Sequence, residues 1–112
     1  MNTGLTNNEL SKLHNIFSKY SDIEKVILYG SRAKGNYKQF SDVDITLLGY
    51  TITRTHLNKL SDEIDDLLLP YQFDINIFHT LKNPDLIDHI QRVGITIYGS
   101  SNESVSAFIG KL

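Results

Sequence analysis

Three aspartates have the residue type and spacing best suited to chemistry in this 112-residue chain. Asp42 and Asp44 stand one residue apart at the head of a run in which Val43, Ile45 and Leu47 alternate with Asp42, Asp44 and Thr46. On a strand, residues i and i+2 project from the same face, so the two carboxylates reach one side and can share or bridge a hard cation. Asp74 lies in a second run of the same pattern, where Phe73, Ile75 and Ile77 share one face and Asp74 and Asn76 the other. Mg²⁺ suits such acids, because it binds through one or two carboxylates plus substrate phosphates and keeps several waters. Where two metal ions clamp an in-line phosphoryl transfer a third carboxylate is usual, and Asp74 is the candidate.

Ahead of the paired acids comes Gly30-Ser31-Arg32-Ala33-Lys34-Gly35, a Gly-Ser turn that follows an apolar run and opens a short basic segment. A glycine lets backbone amides approach an anion, and a serine adds a hydroxyl. Taken alone, two spaced acids are common, and the bland reading has Asp42 ending a turn and Asp44 facing water from an open sheet. The Gly-Ser turn, the ten residues that separate it from Asp42, and the acid in a further strand together argue for a phosphate and metal site.

The elements that must position these groups follow from periodicity. Leu10, Leu13, Ile16, Phe17 and Tyr20 recur at helical spacing, and Thr6 with Glu9 forms the S/T-x-x-E relation of a capping box, which predicts a helix from Thr6 to Tyr20. Ile23 to Tyr29 is β-branched and aromatic and reads as a largely buried strand. Ser31 to Lys34 starts a short helix, Lys34 to Ser41 is a loop, and Asp42 to Leu48 is the second strand. Leu57, Leu60, Ile64, Leu67 and Leu68 mark a helix from Thr55 to Leu69, stopped by Pro70. Phe73 to Phe78 is the third strand. Asn83-Pro84 supplies an N-cap and a first-turn proline for a helix from Asp85 to Val93, with Gly94 as its stop, and Ile95 to Tyr98 reads as a short edge strand. The expected architecture is α+β, a mixed sheet with helices packed on one face. Residues 1–98 form the domain, and 99–112 read as a flexible or partner-docking tail with apolar Val105, Ala107, Phe108 and Ile109.

A chain of this length holds one core but no separate substrate domain, so further parts of a reaction would come from a partner. A hydrophobic content of 40%, a charged content of 21% and a net charge of −2 fit a folded protein and give no broad footprint for duplex nucleic acid. With no cysteine, disulfides, zinc-thiolate sites and thiol nucleophiles are excluded. No leader pattern or membrane-spanning run is visible, so the expectation is a cytoplasmic protein with no membrane partner. Asp62, Glu63, Asp65 and Asp66 read as the wet face of a helix, and His14, His56, His79 and His89 lack metal-ligand spacing. Tyr29 and Tyr37 read as core and loop aromatics that can also touch a nucleotide.

Gly30-Ser31, ten residues, and Asp42-x-Asp44, together with Phe73-Asp74-Ile75 and Arg92-Val93-Gly94-Ile95 through Tyr98, resemble the minimal nucleotidyltransferases of the DNA polymerase β-like superfamily. The resemblance covers nearly all of the chain from the first strand to Tyr98 and implies a polymerase β-like nucleotidyltransferase fold. It implies that Asp42 and Asp44 bind two Mg²⁺ ions and that Asp74 completes the site and activates the acceptor hydroxyl. It further implies that Ser31 and the Gly30 backbone hold the β,γ-phosphates of ATP as substrate, with Arg32 nearby and Lys34 on phosphate, so that Gly30, Ser31, Arg32 and Lys34 form the nucleotide-binding set. Lys34 departs from the arginine of many relatives, keeping the charge but not the bidentate geometry. The implied reaction moves AMP from ATP to a hydroxyl and releases pyrophosphate. The implied partner is a helical HEPN-type protein encoded nearby, with this chain as an antitoxin that AMPylates a tyrosine of that toxin. Two alternatives stay open: neutralisation by occlusion without catalysis, and transfer to a small molecule of aminoglycoside type with a substrate-binding subunit in trans.

Overall fold

The computed structural model describes residues 2–99. Its elements run α1 (Asn7–Phe17), β1 (Lys25–Tyr29), α2 (Ser31–Lys34), β2 (Val43–Leu48), α3 (Arg54–Asp65), β3 (Phe73–Ile77), a 3₁₀ turn (Phe78–Thr80), α4 (Pro84–Val93) and β4 (Ile95–Gly99). The expected tail lies outside the described residues, apart from Gly99 at the end of β4.

Local signals act where they stand. Thr6 Oγ1 accepts from the Glu9 amide and Glu9 Oε1 from the Thr6 amide, so both halves of the capping box form and α1 starts after Thr6. Asn83 caps α4, with Pro84 at its first position, where the missing N–H costs nothing. Two helices end earlier than the apolar stripes suggest. α1 stops at Phe17, and α3 stops at Asp65 rather than Leu69. Leu68 takes φ +55° and is 87% exposed, so it belongs to the unwinding turn and not to the buried stripe.

The sheet has strand order β3-β2-β1-β4. β1 pairs antiparallel with β2 and with β4, while β2 and β3 pair in parallel, joined by the crossover through α3. The sheet is therefore mixed, and β4 is an edge strand as expected. Alternation divides the faces: Val26 and Leu28, Val43, Ile45 and Leu47, and Ile77 pack against Leu13, Ile16 and Phe17 of α1 and Leu57, Leu60 and Ile64 of α3.

The expectation of helices on a single face holds for α1 and α3 only. Ile27, Tyr29 and Leu48 point the other way and pack with Phe78 and with Ile90 of α4. The apolar side of α4 needs cover, and the second face of β1 offers it. Helix α4 thus walls part of the face that carries the aspartates. Among the described residues no helix is long and apolar enough to cross a membrane.

Candidate functional site

Strand pairing assembles the acidic row. Tyr29 stands opposite Asp44 across the β1–β2 ladder, and Asp44 stands beside Asp74 across the β2–β3 ladder. A register slip of one residue would turn Asp74 into the core, so the burial of Phe73, Ile75 and Ile77 against the α1–α3 layer fixes it outward. Asp42 lies just before the β2 ladder begins at Val43 and is exposed, as is Asp74, whereas Asp44 is half-buried. The pattern read from the sequence is thus present: Asp44 and Asp74 adjoin on one face, with Asp42 at its end.

The electrostatics follow from this crowding. Burial pushes the Asp44 carboxyl above its ordinary range, and the neighbouring charges of Asp74 and Asp42 push in the same direction. Tyr29 is raised to about 12, chiefly by burial, with Asp74 and Asp44 adding to the rise and a hydrogen bond from Asn76 opposing it. That bond runs from Asn76 Nδ2 to the Tyr29 hydroxyl at 2.7 Å and ties β3 to β1 behind the acids.

Gly30 is shaped by the same row. It adopts φ +75° and ψ −155°, a region essentially confined to glycine, and a Cβ there would stand 2.2 Å from Asp44 Oδ2. The close approach of turn and carboxylate requires the absent side chain. Gly30 does not, however, offer its amide to an anion as expected, because its N–H donates to His89 Nε2 at 3.0 Å. His89 comes from α4, and its ring meets the Tyr29 ring edge-on at a centroid distance of 6.1 Å. Nothing in the spacing singled it out among the histidines, since it lies 59 residues from Gly30 and only the packing of α4 brings them together.

Ser31 opens α2 and is partly exposed beside the acids' strand, and Lys34 is exposed at the other end of the same short turn. Arg32 is a correction to the sequence reading. Only 1% exposed, it directs its guanidinium into the protein, where Nε and Nη2 donate to Ser41 O, Nη2 also to Gln39 O, and Nη1 to Thr3 O. The rings of Tyr37 and Tyr71 lie 4.9 and 4.5 Å from its central carbon. With four N–H groups committed to carbonyls and aromatic rings beside the plane, it has no fork to give a phosphate.

Do these residues fit a cation? The donors are hard carboxylate oxygens, Asp44 and Asp74 are set side by side at mutual electrostatic cost, and Gly30 leaves open the space against Asp44 Oδ2 that a Cβ would fill. A divalent ion offsets that repulsion. Among the described residues no three His, Cys, Asp or Glu side chains are grouped closely enough to hold a metal ion by themselves, so an ion here would lean on the Asp44–Asp74 pair and on ligands such as water or substrate phosphate.

A model of the polymerase β nucleotidyltransferase domain matches residues 11–103, and the chain belongs to that family. No curated protein matches it in sequence. Among solved structures it is similar to a toxin–antitoxin structure with AMP-PNP, at 18% identity and a TM-score of 0.72, over 91% of this chain and 82% of that one. It also resembles a chain of the MntA–HepT toxin–antitoxin, at 18% identity and a TM-score of 0.61, over 93% and 78% of the two chains. A third similar structure is the tri-AMPylated HEPN toxin of Shewanella oneidensis in complex with MNT antitoxin, at 18% identity and a TM-score of 0.62, over 93% and 77%. At these identities the likeness is one of fold.

Proposed function

We propose that this protein transfers AMP from ATP to a hydroxyl of a helical HEPN-type partner, a tyrosine of a toxin, and so acts as its antitoxin. The observation that carries the reading is the parallel pairing of Asp44 with Asp74, with Asp42 near enough for its charge to act on Asp44 and the Gly30 turn pressed against Asp44. Two structures of similar fold, an antitoxin in complex with an AMPylated toxin and a toxin–antitoxin with AMP-PNP, support the choice of nucleotide and partner.

In this reading Asp42, Asp44 and Asp74 would hold two Mg²⁺ ions, whose chemistry would be charge stabilisation at the phosphates and a lowered pKa of the acceptor hydroxyl. Ser31 and the turn it opens bind the β,γ-phosphates, and Lys34 adds a point charge at their edge. Asp74, exposed beside Asp44, takes the acceptor's proton as the acceptor oxygen attacks the α-phosphorus. The bond to the α-phosphorus forms from one side while the bond to the bridging oxygen breaks on the other, and pyrophosphate leaves carrying the electron pair. The His89 bond and the absent side chain of Gly30 keep the turn close to Asp44.

The test is label transfer from α-labelled ATP to the HEPN-type protein encoded beside this chain, with Mg²⁺ present. The Asp42→Asn, Asp44→Asn double variant is expected to lose at least about 1,000-fold in rate, the scale of a lost electrostatic centre. Transfer that persists in the double variant refutes the assignment. A variant without transfer that still protects cells from the partner points to occlusion instead.

A further inference from the structure

Arg32 is buried, cationic and next to Ser31, yet its guanidinium is committed to backbone carbonyls of the protein itself. What it grips is the far end of the loop that leads to the acids. Nε and Nη2 both donate to the Ser41 carbonyl, at 3.0 and 2.9 Å, and Ser41 immediately precedes Asp42. Asp42 itself lies just before the β2–β3 register; the Val43 amide after it donates to Gln72 O at 2.8 Å, so pairing with the β3 side holds its far flank and leaves the Ser41 side to other contacts. The loop's own bonds at this end are local, from the Lys38 amide to Ser41 Oγ and from the Ser41 amide to Lys38 O. The long-range tie on this side of Asp42 is the Arg32 fork, set between Tyr37 and Tyr71 and braced by Thr3 O.

We infer that Arg32 is a positioning residue: it fastens the backbone beside Asp42 to the Gly30–Ser31 turn and so fixes the distance between the phosphate-binding and metal-binding halves of the site. The inference rests on Asp42 and Asp44 being metal ligands, as proposed above. One side chain rooted in α2 spans the two halves, and a planar fork is the group that can hold one carbonyl with two donors. A lysine at 32 keeps the charge but gives up the paired geometry, and a glutamine gives up both.

The test is Mn²⁺ titration of the isolated chain, read by water-proton relaxation, with neither nucleotide nor partner present. Arg32→Gln is expected to weaken Mn²⁺ binding by roughly 10-fold or more, the usual effect of removing an outer-shell support, with Arg32→Lys between it and the parent. Ile64→Val, a core change distant from the loop, lowers the melting temperature but leaves Mn²⁺ affinity unchanged. Parent-like affinity in a folded Arg32→Gln protein overturns the inference. If that variant does not fold, Arg32→Lys carries the test: weakened binding supports the inference, and parent-like binding overturns it. Mn²⁺ binding that ignores the Asp42→Asn, Asp44→Asn change overturns instead the metal-site reading on which the inference stands.

Discussion

Replacing Gly30 by alanine tests the closeness of turn and carboxylate directly. The new Cβ would stand 2.2 Å from Asp44 Oδ2 and 3.1 Å from Asp44 Cγ, so the carboxylate or the turn must yield by about 1 Å to reach ordinary contact. The backbone adds its own penalty, since φ +75° with ψ −155° costs a residue with a side chain about 1–3 kcal/mol. Forced repacking brings the expected loss of stability to roughly 2–4 kcal/mol, or a melting temperature lower by roughly 10–20 °C. A carboxylate displaced by about 1 Å is also expected to slow AMP transfer by about 100-fold in the protein that remains folded. Gly35→Ala is the control: it also has positive φ, +87°, but a Cβ there meets nothing within 4 Å. Thermal melts and labelled transfer on both variants separate strain from contact. Gly30→Ala with stability and transfer no worse than Gly35→Ala would refute the reasoning.

Other expectations follow from contacts outside the site. Tyr20 donates to Glu63 Oε1, and that bond, with a second from Lys19, holds the Glu63 carboxyl below its ordinary range. A lowered carboxyl contributes stability above its unfolded value, about 4.5, and loses it as pH falls through the folded value. Tyr20→Phe should therefore cost about 1 kcal/mol at neutral pH and less below about pH 4, checked by urea denaturation at both. Thr6→Ala removes the cap of α1 and is expected to cost about 1 kcal/mol by the same measurement.

The sequence disclosed what depends on local alternation. Asp44 and Asp74 could be assigned outward because their neighbours Val43, Ile45, Phe73 and Ile75 are apolar at period two, and core burial enforces that choice. Arg32 was misread because its neighbours, not its own direction, suggested a phosphate. In a one-turn helix no periodicity tells which way a side chain points, and the carbonyls of Thr3, Gln39 and Ser41 decided it. His89 was passed over for a related reason. Its role depends on α4 packing against Ile27 and Tyr29, and an apolar helical stripe does not say which face of a sheet it will cover. The early end of α3 reflects a balance that apolar spacing does not record, since Leu67 and Leu69 stay partly buried while Leu68 turns outward in a left-handed backbone.

The parallel union of β2 and β3 has a consequence for how the protein comes into being. The antiparallel β1–β2 pair can form as soon as residue 48 is available, but a parallel neighbour must wait for the whole crossover through α3 and for the chain to reach Ile77. Until then Asp44 has no acidic neighbour from β3 and the row of carboxylates does not exist. In a nascent or partly unravelled chain the proposed site is therefore incomplete, and the acidic row appears only together with the completed sheet.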